Sequence, residues 1–186
     1  DIVTAYYNEP INSCALKECI QKGRQMIGWD KKFPAIKVSD TKVRAVGMAI
    51  AMQGSGISNI DTASVQIRLQ DDGFYTLMIG ATDMGTGCDT ILAQMAADCL
   101  LCEMDNIIVS PVDTDHSPFD TGSYASSTTY ITGGAVVQAC KRLKEKIIHE
   151  AADLLEADTA SLSFDGTKIF NKNKSITLAT LAQQLV

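Results

Sequence analysis

The amino-acid sequence predicts an α+β fold, an antiparallel or mixed sheet with helices packed on one face. Three observations support this class. Segments with the period of strands and segments with the period of helices both occur along the 186 residues. Two predicted strand pairs are joined by short turns that contain Asp-Gly, so each pair is antiparallel. The longest helical pattern, over residues 126–155, predicts one long helix.

The N-terminal part of the sequence predicts a helix, a linker and a buried strand. Apolar residues recur with helical spacing over 15–27, and a proline with mixed charges predicts a linker over 30–40. Small apolar residues predict a buried strand over 43–53. We therefore expect residues 1–40 to form a helix and linker, and residues 41–186 to form the main α+β domain.

The middle of the chain predicts a β-hairpin followed by a helix. Strands over 65–69 and 74–79 flank the turn Asp71-Asp-Gly73. The helix over 89–103 is predicted to bury one apolar face, because four residues recur at spacings of four, four and three. These residues are Ile91, Met95, Cys99 and Cys102.

The remaining elements are a short strand, the long helix, a second hairpin and a last helix. They are predicted over 107–112, 126–155, 162–170 and 178–185, with Thr177 as the cap of the last helix. The predicted buried face of the long helix consists of Val136, Cys140, Leu143, Ile147, Ala151 and Leu154.

Composition and charge exclude several classes of function. Apolar residues make up 46% and charged residues 20%, which excludes collagen-like, coiled-coil and disordered chains. Sixteen basic and 22 acidic residues give a net charge of −6, so we expect neither nucleic acid nor an anionic membrane as a partner. The longest uncharged run, 121–140, is too rich in Ser, Thr and Gly to cross a bilayer.

The start of the chain and its cysteines predict a cytoplasmic location. The sequence begins at Asp1 without a Met, and no charged segment followed by an apolar one stands at its start, so we expect no secretory signal. We also expect the chain to be an interior piece of a longer protein. Six cysteines in such a chain predict free thiols rather than a disulfide framework. Cys99 and Cys102 have the spacing of metal and redox motifs, but their apolar helix favours structural thiols.

The acidic segment Asp113–Asp120 is the other arrangement that suggests a metal. Its spacing fits no calcium loop, and Pro118 constrains the backbone, so a solvated loop is favoured. The two histidines, His116 and His149, complete no hydrolytic triad. We therefore assign no metal ligand and no catalytic residue.

Two loops rich in Gly, Ser and Thr each run directly into a predicted helix. They are the first loop, residues 83–90, and the second loop, residues 121–129. Small residues let a ligand approach the backbone, and free N–H groups at a helix start bind anions. Helix capping alone is the alternative, and it needs only one such residue. The first loop lacks the third Gly of a dinucleotide motif and the Lys of a P-loop.

The residues of both loops resemble a known family. Gly80-Ala-Thr-Asp-Met-Gly-Thr-Gly-Cys-Asp-Thr is similar to the cofactor loop of the molybdenum-binding subunit of xanthine dehydrogenases and aldehyde oxidoreductases. Asp113-Thr-Asp-His-Ser-Pro-Phe-Asp-Thr-Gly-Ser-Tyr-Ala-Ser-Ser-Thr-Thr resembles the second loop of that family, in the same order. The resemblance runs from about Leu16 to the C-terminus.

The resemblance implies which residues hold a molybdopterin, which in bacteria is often extended as a cytosine dinucleotide. Many members have Gln where this chain has Thr86, whose hydroxyl has a shorter reach toward the metal's ligands. The implied cofactor-binding residues are Gly85, Thr86 and Gly87 on one side and Tyr124, Ala125, Ser126, Ser127 and Thr128 on the other.

The resemblance also implies an activity. The family hydroxylates a carbon of its substrate with oxygen from water, so we expect part of an enzyme that oxidises a purine or a related N-heterocycle. Aldehyde or nicotinate-type oxidation, or a non-catalytic scaffold with the same fold, are the alternatives. The family's catalytic Glu motif is absent before Val186, so the isolated chain is expected to be inactive.

The partners implied by the resemblance are the remaining parts of the molybdenum subunit and partner domains or subunits that carry iron–sulfur clusters and FAD. The last implied partner is a small-molecule substrate. Residues 54–58 are interpreted either as a wall of the substrate pocket or as a structural turn.

Overall fold

The structure, a computed structural model, describes residues 10–54 and 60–184. Most of the segment 54–58, which the sequence offered as a pocket wall, lies outside the described residues. Contacts between Cα atoms divide the chain into two units, residues 1–54 and 55–186. Residue 40, after which the sequence predicts a domain boundary, lies at the turn of a hairpin in the first unit.

The described part of the N-terminal unit, residues 10–54, contains two helices and one hairpin. Its elements are α1 (Leu16–Ile27), α2 (Trp29–Lys32), β1 (Ala35–Ser39) and β2 (Lys42–Ala45). α1 ends at Gly28, whose left-handed backbone (φ 68°) is accessible to glycine without steric cost. β1 and β2 pair antiparallel, with Ala35 opposite Ala45. No residue is buried in the described part of this unit, 10–54.

The predicted helix over 15–27 is confirmed, whereas two other predictions for this unit are wrong. The segment 30–40, predicted as a linker, contains α2 and β1. The buried strand predicted over 43–53 ends at Ala45, and most residues of 46–54 are exposed and without regular structure. The strand ends where its pairing with β1 ends, because an extended backbone needs a neighbour for its N–H and C=O groups.

The C-terminal unit is built on a mixed sheet with the strand order β3-β4-β5. The predicted hairpin is confirmed, since β3 (Val65–Leu69) pairs antiparallel with β4 (Tyr75–Ile79). β5 (Ile107–Val109) pairs parallel with β4. The connection between these parallel strands passes through α3 (Cys88–Leu100), as parallel pairing requires a crossover.

The predicted long helix is confirmed as α4 (Gly133–Leu155), which contacts β3 and packs beside α3. It is preceded by a π-helical segment, Thr128–Thr132, so the helical path begins close to the predicted position. Most of its predicted face is buried, although Leu154 is 44% exposed. At Gly133 an added Cβ would lie 2.6 Å from Met95 Sδ, so glycine allows the close crossing of α3 and α4.

The buried face of α3 differs from the prediction. Ile91 is exposed, and Met95, Cys99 and Cys102 are half-buried around the core. The face that packs against the sheet and α4 lies one residue further along the helix, because its small alanines allow closer packing than the larger residues do. Its members are Cys88, Leu92, Ala93, Ala96, Ala97 and Leu100.

A second small sheet and a short helix complete the unit. The elements are β6 (Ser163–Phe164), β7 (Lys168–Phe170), β8 (Ser175–Thr177) and α5 (Leu178–Gln184). The hairpin at Asp165-Gly166 is confirmed, and β8 is an additional strand that the sequence did not predict. Thr177 caps α5 as predicted, since its Oγ1 accepts the N–H of Thr180 at 3.2 Å. The α+β class is confirmed, with three small sheets in place of one.

Among the described residues, none of the helices combines the length and the hydropathy that a membrane span requires.

Candidate functional site

Both loops leave the same edge of the mixed sheet. β4 and β5 are parallel neighbours, so their carboxyl ends lie side by side. The first loop follows β4 and leads into α3, and the second loop follows β5 and leads toward α4. The carboxyl edge of parallel strands is where sheets with helical crossovers bind ligands. The topology therefore brings together two segments that lie more than 30 residues apart in the sequence.

The segments that precede the two loops are in contact. Gly80, the residue after β4, lies so close to Asp120 that an added Cβ would be 2.9 Å from the Asp120 Cβ. Asp120 in turn forms an isolated antiparallel bridge with Ala63. The base of the site is therefore held by close backbone packing.

A turn of the same type occurs at the start of each loop. In Asp83-Met-Gly85, Asp83 Oδ1 accepts the N–H of Gly85 at 2.8 Å. In Asp120-Thr-Gly122, Asp120 Oδ1 accepts the N–H of Gly122 at 2.8 Å. An aspartate that accepts the N–H two residues on is a common device for fixing a turn.

The N–H groups of the first loop are used inside the protein. Asp83 Oδ1 also accepts the N–H of Gly87 at 3.1 Å. The bonds from Gly85 and Gly87 lower the pKa of the Asp83 carboxyl below its usual value of 3.8. The sequence suggested that these helix-start donors are free for an anion, and here they already bind a carboxylate.

The two glycines of the first loop nevertheless leave room for a ligand. Gly85 (φ 98°) and Gly87 (φ 76°) are left-handed, and a Cβ added to either would meet no atom within 4 Å. Thr86 between them is exposed. A flat group could therefore approach the glycine backbone closely.

The second loop carries backbone strain at its centre. Ala125 (φ 48°) and Ser126 (φ 60°) are consecutive non-glycine residues in the left-handed region, a conformation that costs energy and often marks a functional site. No acceptor in the described part of the chain receives a hydrogen bond from the N–H of Ala125 or of Ser126. Ser126 is exposed and Ala125 is buried, so the N–H of Ser126 is the donor that a bound group could reach.

The side chains around these donors are held by hydrogen bonds. The hydroxyl of Tyr124 donates to Asp61 Oδ1 at 2.5 Å, which raises the pKa of Tyr124 because the bond favours its protonated form. Thr128 Oγ1 donates to Ser123 Oγ at 3.0 Å. Thr132, at the end of the π-helical segment, donates to Asp120 Oδ2 at 2.7 Å.

The predicted site residues differ in exposure. Gly85, Thr86, Tyr124 and Ser126 are exposed, Gly87 and Thr128 are half-buried, and Ala125 and Ser127 are buried. The sequence analysis did not identify the three acidic residues that shape the site, Asp61, Asp83 and Asp120. For the last two the signal was present, since each precedes a loop glycine by two residues.

The described residues contain one group of possible metal ligands, Asp83, Cys88 and Asp89, whose ligand atoms lie within 4.8 Å of one another. Asp83 is engaged by backbone N–H groups, and Cys88 is buried. Burial, together with the neighbouring Asp89 and Asp83, raises the pKa of the Cys88 thiol to about 11, so it is protonated at neutral pH. We therefore assign no metal to this group.

The acidic segment at 113–120 forms a turn that is held by hydrogen bonds among its own residues. Asp113 Oδ1 accepts the N–H of Asp115 at 2.8 Å, and Ser117 Oγ accepts the N–H of Asp113 at 2.8 Å. His116 is exposed, and it belongs to no ligand group in the part of the chain that the structure describes. These contacts agree with a solvated loop.

Comparison with known proteins identifies relatives of one kind. Residues 22–186 match the family described as "Molybdopterin cofactor-binding domain". The chain is 41% identical over 150 residues to "Probable hypoxanthine oxidase XdhD" of Escherichia coli, covering 81% of this chain and 15% of that protein. It is 32% identical over 157 residues to "Putative xanthine dehydrogenase molybdenum-binding subunit XdhA" of Escherichia coli, covering 82% and 21%.

The fold also resembles a solved structure, "Reconstituted CO dehydrogenase from Oligotropha carboxidovorans". The TM-score is 0.60 at 30% identity, over 65% of this chain and 15% of that one. The chain thus spans only about a fifth or less of the length of the two curated relatives and of this structure.

Proposed function

The chain belongs to the molybdopterin cofactor-binding domain family of molybdenum hydroxylases, and we propose that its two loops hold the pterin between them. In this proposal the holding residues are Gly85, Thr86 and Gly87 of the first loop and Tyr124, Ala125, Ser126, Ser127 and Thr128 of the second. Both loops lie in the domain predicted over residues 41–186, and within it in the unit formed by residues 55–186.

The observation that carries the proposal is the meeting of both loops at the carboxyl edge of β4 and β5. Two segments distant in sequence leave adjacent parallel strands. Their bases are fixed by the contact between Gly80 and the 118–120 backbone. This contact gives the two loops a shared, closely packed base.

The residues of the two loops fit a molybdenum–pterin group, and each loop has a different role. The first loop offers open space over Gly85 and Gly87, whose N–H groups are bound to Asp83, so it suits the flat face of a ring. The second loop offers the N–H group of the exposed Ser126, so it suits the anionic end, a phosphate or pyrophosphate. The proposed cofactor is molybdopterin with molybdenum, and its cytosine dinucleotide form is the alternative.

A molybdenum–pterin group supplies the redox centre at which a substrate carbon is oxidised with oxygen from water. The substrate that we propose is a purine or related N-heterocycle, supported by the names of the two Escherichia coli relatives, one a probable hypoxanthine oxidase. Aldehyde oxidation is the alternative, supported by the 29% identical aldehyde oxidoreductase subunit PaoC.

We assign no catalytic base within residues 1–186, so the base and the electron-transfer groups are proposed to lie elsewhere in a cytoplasmic complex. The proposed partners are the rest of the molybdenum subunit and subunits with iron–sulfur clusters and FAD. Purified chain 1–186 is accordingly expected to contain no stoichiometric molybdenum and to oxidise neither purines nor aldehydes. Elemental analysis and a dye-reduction assay would check this, and turnover by the chain alone would contradict it.

The experiment for the cofactor site is a matched pair of bulky substitutions in the full-length subunit. Thr86 lies between the two open glycines, whereas Thr90 is an exposed residue of α3 outside the proposed contact set. Thr86→Trp should lower molybdenum and pterin content about tenfold or more, and Thr90→Trp should leave both unchanged. Equal thermal unfolding of the two apo proteins would show that folding is intact. Full cofactor content in Thr86→Trp would overturn the proposal.

A further inference from the structure

The strained centre of the second loop is a tight turn that begins at Tyr124. The N–H of Ser127 donates to the carbonyl of Tyr124 at 2.8 Å, which closes a four-residue turn. Its two central residues, Ala125 (φ 48°) and Ser126 (φ 60°), both have positive φ, as the central residues of a type I′ turn do. Such turns favour Gly, Asn or Asp at these positions, and this turn has none of them. The conformation therefore needs support from the surrounding structure.

Asp61 supports the first residue of this turn. The hydroxyl of Tyr124 donates to Asp61 Oδ1 at 2.5 Å. This bond raises the pKa of Tyr124, so the hydroxyl remains a donor at neutral pH. Tyr124 is 41% exposed, whereas Asp61 is only 9% exposed. The bond therefore ties an exposed turn to a buried carboxylate.

The segment that carries Asp61 is itself attached to the chain that enters the second loop. The N–H of Ser64 donates to the carbonyl of Phe119 at 2.8 Å, and the N–H of Thr121 donates to the carbonyl of Thr62 at 3.3 Å. Thr121 Oγ1 donates to the same carbonyl at 3.3 Å. Asp61 is the neighbour of Thr62 in the sequence, so its position is set by a pairing that does not involve the turn.

We propose that Asp61 is a positioning residue for the cofactor site, which holds the strained turn through the Tyr124 hydroxyl so that the N–H of Ser126 faces the anionic end of the pterin. Asp61 acts through Tyr124 and needs no contact with the cofactor. Without this bond, Ala125 and Ser126 relax toward negative φ, which lowers their conformational energy and redirects the N–H of Ser126. This inference rests on the proposed cofactor site.

Hydrogen exchange in the full-length subunit, produced in a host without molybdopterin synthesis, tests the hold on the turn. Tyr124→Phe removes the hydroxyl and keeps the ring, so the Ser127 amide, which closes the turn, should exchange about tenfold faster or more. Tyr130→Phe is the matched control, because Tyr130 lies in the π-helical segment that follows and is 72% exposed. It should leave the Ser127 amide unchanged, and the β4 amides should be unchanged in both variants. Wild-type protection of Ser127 in Tyr124→Phe would overturn the proposal.

Cofactor content tests whether Asp61 acts through Tyr124. Asp61→Ala and Tyr124→Phe should each lower the molybdenum and pterin content of the full-length subunit about fivefold or more, and the double variant should lose no more than the larger single loss. Asp61→Asn keeps an acceptor oxygen in place and should recover most of the content. A loss in the double variant equal to the product of the two single losses would overturn the proposal, because Asp61 would then act independently of Tyr124.

The same measurements separate this inference from the cofactor site on which it rests. Faster exchange of the Ser127 amide in Tyr124→Phe together with full cofactor content would contradict the positioning role. Loss of cofactor in Thr86→Trp would then leave the cofactor site standing. Full content in both Tyr124→Phe and Thr86→Trp would contradict the cofactor site as well.

Discussion

A Cβ atom on Gly80 would lie 2.2 Å from the carbonyl oxygen of Pro118. Real Cβ atoms do not approach a backbone oxygen so closely, and neither backbone can yield without moving the other. This contact joins the end of β4 to the chain that enters the second loop. The geometry of one loop is therefore coupled to that of the other.

Gly80→Ala should destabilise the protein by about 1–3 kcal/mol, because it overpacks this contact. Gly134→Ala is the matched control, since a Cβ there meets nothing within 4 Å and alanine favours α4 by about 0.5–1 kcal/mol. Urea unfolding of both variants measures the two free energies. A neutral Gly80→Ala would show that the loop bases are not rigidly joined.

The Asp83 carboxylate should stabilise the first loop only in its ionised form. Its pKa is lowered in the folded state, so its contribution is fully present above the ordinary value of 3.8 and is lost as the pH falls through the lower folded pKa. Asp83→Asn should thus reduce stability at pH 6, and the difference from wild type should shrink steadily below about pH 4. Asp98→Asn, which removes an exposed carboxylate of α3, is the control. A difference independent of pH would contradict this role of the charge.

The sequence predicted those parts of the molecule that depend on local patterns. The first hairpin follows from the alternation at 65–69 and 74–79, and the start of α5 follows from the cap at Thr177. The face of α3 was misplaced by one residue, because three of its six buried residues are alanines, which a pattern of large apolar residues does not reveal.

The cofactor loops show the same limit. Their composition indicated a ligand site, and their position before a helix predicted free N–H groups in both loops. The structure distinguishes them, because the Asp83 carboxylate uses the donors of the first loop and none of the described acceptors uses those of Ala125 and Ser126. A sequence does not state which of two possible acceptors a donor finds, since that depends on the path of the folded backbone.

Tyr75→Phe should raise stability. The Tyr75 side chain is fully buried on β4, and its hydroxyl has no hydrogen-bond partner among the described residues. An unsatisfied buried hydroxyl costs about 1–3 kcal/mol, so removing it should increase the free energy of unfolding by up to that amount. Chemical denaturation of the variant measures the change. A loss of stability would instead indicate that water in the adjacent cavity of about 190 Å³ binds the hydroxyl.

The last prediction separates cofactor binding from helix stability at two adjacent serines of the second loop. Ser126 is exposed, whereas Ser127 is only 3% exposed and donates its N–H to the carbonyl of Tyr124 at 2.8 Å. If the Ser126 hydroxyl binds the anionic end of the pterin, its loss removes a hydrogen bond to a charged group, worth roughly 1.5–3 kcal/mol. Ser126→Ala in the full-length subunit should then lower cofactor occupancy about tenfold or more, since 1.4 kcal/mol is a factor of ten.

Ser127→Ala is the matched control, because the Ser127 side chain is buried and forms no capping hydrogen bond, and Ser127 would meet the cofactor only through its backbone. Cofactor occupancy in this variant should equal that of the wild type. Molybdenum content and thermal unfolding, measured on the same preparations, distinguish the two effects. Full occupancy in Ser126→Ala, combined with a lower unfolding temperature, would mean that the Ser126 hydroxyl serves the helix start and not the cofactor. In that case the anionic end of the cofactor would have to bind through the backbone N–H group of Ser126.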